Sequence, residues 1–186
     1  MGEILSYLAA ALPAEVSAGA RLLALQCALR MNAYRHVELP AGLLRSLRID
    51  AVEACRELER ARWARVVNRL GTARVAVELL DAAVLAQSPA RPDRRRAADW
   101  ALRAGCPARI GGAEPHLRLS GVYLAARSDP SSGEGLSECD RILRDCGLRD
   151  QGFHGVLSRL TANGVLEGWR ICPDSGDVHW TLASGR

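Results

Sequence analysis

The sequence predicts a mainly α protein with small β-hairpins (α+β), folded as two units of one design in tandem. Three observations carry this reading. Near the C-terminus a helix-period stripe stops at Asn163-Gly164 and gives way to period-two alternation. The same succession occurs in the N-terminal half. Between the two lies "AQSPARPDRRRAADWALRAGCPARIGGAEP", rich in Pro, Gly and Arg, which reads as a boundary. The chain thus divides into an N-terminal domain with an extra helix (1–87), a linker with a short helix over 93–103 (88–115), and a C-terminal domain (116–186).

Residues 3–12 place Ile4, Leu5, Leu8 and Leu12 on one side of a first helix, a stripe suited to its own unit or to a second subunit. "SAGARLLALQCALRMNAY" is a second helix with Ser17 as its cap. "LPAGLLRSLRI" sets Leu43, Leu44 and Leu47 on one face, and "DAVEACRELERARW" does the same with Ala51, Ala54, Cys55 and Leu58. "ARVVNRLGTARVAVE" then reads as strand, Gly-containing turn and strand.

Beyond the linker, "HLRLSGVYLAAR" is a helix, and "LSECDRILRDCGL" puts Cys139, Ile142, Leu143 and Cys146 on one face behind Ser137 as N-cap. From Asp150 onward, Phe153, Val156, Leu157 and Leu160 form the apolar stripe of the next helix. Asn163 reaches its C-cap, Gly164 takes the left-handed position, and Val165 contacts Leu160 across the stop. Strands over 167–171 and 178–182 follow, joined by Pro173-Asp174-Ser175-Gly176. Matching Leu58 to Leu160 sets the two copies 102 residues apart and puts Arg62 where the second copy has Gly164, which predicts a differently built exit from the earlier helix.

Helix, helix, helix, hairpin, with the short turn "CGLRDQG" between the last two helices, resembles the winged helix-turn-helix family, in particular bacterial regulators of the MarR and GntR type. In that likeness "LSECDRILRDCGL" is the positioning helix, "FHGVLSRLTANGVLEGW" the recognition helix with its exit, and the hairpin the wing. The resemblance implies two winged helix-turn-helix units in tandem and double-stranded DNA as partner: the third helix enters the major groove and the wing meets phosphates or the minor groove. Two features depart from the family pattern. Cys146 stands where Leu is usual, and Asp174 and Asp177 make the second wing tip acidic.

The residues expected to touch DNA follow from these placements. On the second recognition helix Gln151, His154, Ser158 and Arg159 are polar, varied and free of acid, which suits reading of base edges. In the first copy Arg65, Arg69 and Arg74 surround the hairpin tip, and Arg56 and Arg60 lie on the helix before it, sharing their side with Glu53 and Glu57. Each set also has a plainer reading, as a solvated helix face or a surface laced with ion pairs.

Other function classes lose ground on the same residues. The four histidines (36, 116, 154, 179) are scattered, and no GxSxG, HExxH, Walker or GxGxxG pattern is present, so no enzyme, cofactor or catalytic residue is expected. The tightest metal grouping, Cys172 and His179 with Cys139 and Cys146, lacks paired-ligand spacing; no metal is expected, and Cys55, Cys139 and Cys146 read as small core residues. The six cysteines form no disulfide pattern. Apolar runs fall far short of the roughly 18 residues a membrane helix needs, and no basic region opens a secretion signal, so the reading is cytoplasmic and nucleoid-associated. All 25 basic residues are Arg, which suggests a GC-rich, bacterial genome, and the net charge of +4 mildly favours a polyanion. The expected function is sequence-specific double-stranded DNA binding by a bacterial transcriptional regulator, alone or as a homodimer. The alternative is a tandem winged-helix protein-interaction module or a replication or chromosome-maintenance (partition) factor.

Overall fold

The computed structural model describes residues 1–70, 74–104 and 114–183, with the side chains of 68–70 also outside the description. The chain is α+β and separates into two units, Glu3–Leu102 and Arg103–Arg186. Among the described residues no helix is long and apolar enough to cross a membrane.

The first unit is organised around α2 (Ala18–Arg30), whose residues from Ala20 to Leu29 are all buried. A helix buried on every side belongs in the centre of a unit, and this one is so buried, Arg21 and Gln26 included. Ser17 caps it, accepting from the Ala20 N–H at 3.2 Å. Helix α1 (Gly2–Ala11) buries Ile4, Leu5 and Leu8, with Leu12 after them, and its Tyr7 hydroxyl donates to Asp81 at 2.6 Å and accepts from the Trp63 indole at 3.2 Å. The buried Arg21 guanidinium donates to the carbonyls of Pro13 (2.8 Å) and Val16 (3.1 Å), which ties the start of α2 to the turn that follows α1. Then come β1 (His36–Pro40), α3 (Ala41–Leu47), α4 (Ala51–Arg60), β2 (Ala64–Leu70), β3 (Arg74–Leu79), the single turn α5 (Val84–Gln87) and α6 (Arg91–Ala104). The strands form an antiparallel sheet in the order β1-β3-β2.

The second unit repeats the order of elements from α2 to β3: α7 (Pro115–Arg127), β4 (Glu134–Glu138), α8 (Cys139–Cys146), α9 (Asp150–Ala162), β5 (Leu166–Ile171) and β6 (Asp177–Leu182). Its sheet is again antiparallel, ordered β4-β6-β5. Helix α7 is buried from Leu117 to Leu124, as α2 is in the first unit. Asp145 of α8 has a side chain 1% exposed among Arg127 (3.5 Å), Arg144 (3.3 Å) and Arg141 (3.9 Å), and Arg127 lies over the Tyr123 ring at 4.9 Å.

Several expectations from the sequence need correcting. Each hairpin is part of a three-stranded sheet, because β1 and β4 pair with the last strand of their unit. Helix α2 ends at Arg30, with Met31 extended, since the Asn32 carboxamide accepts from the N–H groups of Tyr34 (2.8 Å) and His36 (3.0 Å) and turns the chain into β1. Ser137, expected to cap α8, lies inside β4, and the N-cap is Glu138 without a side-chain bond. The stretch 88–115 holds the fourteen-residue α6, docked on α2 by Gln26, which donates to the Ala98 carbonyl at 3.2 Å, and by Arg30 with Asp99 at 2.7 Å.

The exits of α4 and α9 are built alike, against the expectation from Arg62. After α9, Gly164 takes φ 70° and the Val165 N–H returns to the Leu160 carbonyl at 2.9 Å. After α4, Arg62 itself takes φ 53° and the Trp63 N–H returns to Leu58 at 3.1 Å. Both are the same Schellman-type closure, one with a glycine and one with an arginine in the left-handed position.

Candidate nucleic-acid interface

Helix α9 presents one apolar and one open face. Phe153, Val156, Leu157 and Leu160 are buried, whereas Gln151, His154, Ser158 and Arg159 are all exposed. At about 100° per residue, Gln151 and Ser158 share the outermost ridge with Gly155 and Ala162, and His154 and Arg159 flank it on opposite sides. His154 leans toward the hairpin, its ring 5.6 Å from that of Trp169 on β5. Arg159 leans the other way and forks onto Glu114, just before α7, with both guanidinium nitrogens donating at 3.1 and 3.0 Å. His116 meets the same carboxylate at 3.0 Å. The hydrogen bond from Arg159 holds the Glu114 carboxyl below its ordinary range, and the same bond raises Arg159. The helix is therefore free of acid along its open face, but the Glu114 carboxylate reaches it from outside the helix.

Helix α4 is shorter and more crowded with charge. Arg56 and Arg60 point outward, 61% and 68% exposed, and both pair with Glu53. The other two acids are occupied: Glu57 accepts from the Ser17 N–H at 2.7 Å and Glu59 from the Val66 N–H at 3.0 Å. Asp50 caps the helix, accepting from Val52 and Glu53 at 3.0 Å each. In the hairpin, Arg65 faces Glu78 across the β2–β3 ladder and bonds it at 2.5 Å, which lowers the Glu78 carboxyl and raises Arg65. Arg74 reaches Glu38 of β1 at 3.2 Å. Arg69 is in β2, and its side chain lies outside the described residues.

Every expected arginine whose side chain is described thus has a carboxylate partner: Arg56, Arg60, Arg65, Arg74 and Arg159. The exposed arginines around α4 and α9 that have no ion pair among the described residues are others, which no motif in the sequence marks. They are Arg45, Arg48 and Arg62 in the first unit and Arg149 and Arg170 in the second. Position is the signal they do carry. Arg48 precedes α4 by three residues, Arg62 follows its C-cap, and Arg149 is the N-cap residue of α9.

Among the described residues, no three or more His, Cys, Asp or Glu side chains gather as metal ligands. The described cysteines are free thiols: Cys55 and Cys146 are buried, Cys139 and Cys172 half-buried, and Cys106 lies outside the described residues. At the second hairpin tip Ser175 donates to Asp177 at 2.7 Å, so the acid there is part of the turn itself. No protein-family model, curated protein or solved structure matches the chain.

Proposed function

We propose that the chain binds double-stranded DNA through two winged helix-turn-helix units in tandem, and acts as a sequence-specific bacterial regulator in the nucleoid. The observation that carries this reading is the doubled order helix, strand, helix, helix, hairpin, in which the third helix of each unit keeps a polar face open and closes directly into the hairpin. In this arrangement the third helix enters a groove about 12 Å wide and the hairpin flanks it. Gln151 can bond adenine N6 and N7, Ser158 suits either kind of base edge, and Arg159 offers guanine a bidentate fork once it leaves Glu114. Exposed ion pairs are weak, so exchanging Glu114, Glu53, Glu78 or Glu38 for a phosphate or base costs little. Until then these pairs hold each guanidinium in place.

Fluorescence anisotropy with genomic duplex DNA, titrated across salt, tests the reading. Log affinity should fall linearly with log salt, at a slope of about −0.9 per phosphate engaged. Absence of binding even at low salt overturns it.

A protein-interaction module, including a replication or partition factor, is the second reading. It is favoured by the neutralised arginines and by exposed Val52 and Val67, 43% and 58% accessible on and beside α4. Helix α1 does not add to it, because its apolar residues Ile4, Leu5 and Leu8, with Leu12 after them, are buried within the chain. Sedimentation equilibrium reads the oligomeric state directly.

A further inference from the structure

The two units need the chain to turn through left-handed backbone at the same three places, and they fill those places differently. Before the first strand stand Arg35 (φ 63°) and Gly133 (φ 72°), after the second helix of the repeat Arg48 (φ 52°) and Gly147 (φ 62°), and after the third Arg62 (φ 53°) and Gly164 (φ 70°). Among the described residues these three arginines are the non-glycine residues with positive φ. Glycine takes this conformation freely, whereas a side chain with a Cβ is strained in it. The first unit therefore carries an arginine at each place where the second shows that glycine suffices.

One of the three has an internal task. The Arg35 guanidinium donates to the Leu79 carbonyl at 3.0 Å, and its own carbonyl accepts from the Leu79 N–H at 2.9 Å, which ties β1 to the end of β3. Arg48 and Arg62 are exposed and have no hydrogen bond or ion pair from their side chains among the described residues. Nothing among the described residues of the unit accounts for either guanidinium. Strain that the surrounding contacts do not explain points outward, to something the side chain meets in a complex.

The second unit repeats the pattern with a different local rule. The N-cap of α4 is Asp50, whose carboxylate accepts two N–H groups. The N-cap of α9 is Arg149, which makes no cap bond and brings a cation to the positive end of the helix. Arg149 is also exposed and without an ion pair among the described residues.

We infer that Arg48, Arg62 and Arg149 grip the phosphodiester backbone, Arg48 and Arg62 from the two ends of α4 and Arg149 from the start of α9. This rests on the DNA-binding reading and adds to it the residues that carry the sequence-independent part of affinity. The dimensions fit: the ten residues of α4 span about 15 Å, against a major groove about 12 Å wide, so cations beyond its two ends reach the strands that border the groove. The ion-paired Arg56, Arg60 and Arg159 must first surrender a carboxylate, whereas these three meet phosphate at no such cost.

The substitutions that test this relieve the chain locally, so a loss of binding is separable from a loss of fold. Arg48→Gly, Arg62→Gly and Arg149→Asn, made in the full chain, should each keep or raise Tm, by up to a few degrees. Each should weaken duplex DNA binding roughly five- to tenfold at low salt and reduce the log–log salt slope by about 0.9, on every sequence alike. Arg95→Ala, which removes from α6, outside the proposed interface, an exposed arginine that likewise has no ion pair among the described residues, should change neither affinity nor slope. Unchanged affinity and slope in the three variants, with the wild-type chain binding, overturns the inference and leaves the DNA-binding reading standing. An equal loss from Arg95→Ala overturns it as well, since charge and not place would then decide. A fall in Tm for the glycine variants shows an internal role for the arginines and removes the premise. No binding by the wild-type chain overturns both readings together.

Discussion

In the first sheet Val37 of β1 faces Val77 of β3; on the corresponding rung of the second sheet Gly135 of β4 faces Trp180 of β6. Both valines and the tryptophan are buried, at 4%, 3% and 2% exposure. The indole lies across the glycine so closely that a Cβ built on Gly135 would stand 2.2 Å from the ring, and its N–H donates to the Ser128 hydroxyl at 2.8 Å. Two medium side chains in one unit do what one large side chain and a hydrogen atom do in the other. Cores accept such exchanges when the summed volume and the pattern are kept. This is why the two halves share an architecture while sharing few residues, and it suggests asking at each matched position which neighbour has changed with it.

Gly135→Val is the largest single disruption this comparison predicts. The added side chain has no place while Trp180 stays, so the second unit should lose about 3 kcal/mol or more, or fail to fold. Adding Trp180→Val rebuilds the valine pair of the first unit and should recover most of the loss, leaving about 1–2 kcal/mol for the missing indole bond to Ser128. Urea denaturation of the four chains of this cycle reads the coupling. If the double variant is no better than the single, the rungs are not equivalent.

A second matched position lies two residues before each left-handed turn. In the first unit it is Ser46, exposed and bonded by its hydroxyl to the Leu43 carbonyl at 2.7 Å. In the second it is Asp145, buried among three guanidinium groups. Asp145→Ser should cost about 2–3 kcal/mol, below the full penalty for breaking a buried pair because Arg141 and Arg144 remain 44% and 65% exposed and can turn to water. A loss under about 0.5 kcal/mol in the same denaturation assay would mean that the cluster only decorates the surface of α8.

How much of this was legible depends on how far apart the cooperating residues lie. The exit of α9 is written in consecutive residues, Asn163-Gly164-Val165, and the hairpin turn in Pro173 to Gly176, so both could be read directly. Strands β1 and β4 could not: "HVELP" and "EGLSE" are five residues each, the second with poor strand formers, and they become strands by pairing with β3 and β6 far along the chain. The carboxylate partners were hidden for the same reason, Glu114 being 45 residues from Arg159 and Glu38 being 36 from Arg74. Arg62 misled in a different way. Sequence rules assign the left-handed position to glycine or asparagine, so an arginine there reads as a different turn when it is the same turn under strain.

The Glu114–Arg159 pair is where the two readings of α9 separate, with a smaller effect. Glu114→Gln frees the fork without removing it. If Arg159 reads DNA, affinity should rise about two- to fivefold, and Arg159→Ala should then cost more in that background than in the wild type. The pH dependence has a definite sign. Glu114 is held below its ordinary value of 4.5, so the pair's contribution to stability is complete above that pH and is lost as pH falls through the depressed value. The Gln variant should lack that part of the acid limb of a Tm-against-pH curve. An unchanged curve and unchanged affinity would mean that the pair matters neither to the fold nor to binding.

The smallest effect comes from Gly155 on the outer ridge of α9, the position that Glu53 occupies on α4 when the two helix exits are aligned. A Cβ on Gly155 would meet nothing within 4 Å, so no packing inside the unit requires glycine there. Inside a helix it costs about 0.5–1 kcal/mol relative to alanine, and Gly155→Ala should return that much in a thermal melt. The same position in the first unit holds the acid that occupies Arg56 and Arg60. Gly155→Glu would therefore give α9 the charge pattern of α4, one helical turn before Arg159. If α9 lies against DNA, the alanine variant keeps affinity within a few-fold while the glutamate variant loses it well beyond what one added charge costs at a distance. If both bind like the wild type, the open face of α9 is not the face that meets the duplex, and binding falls to the first unit with its strained arginines.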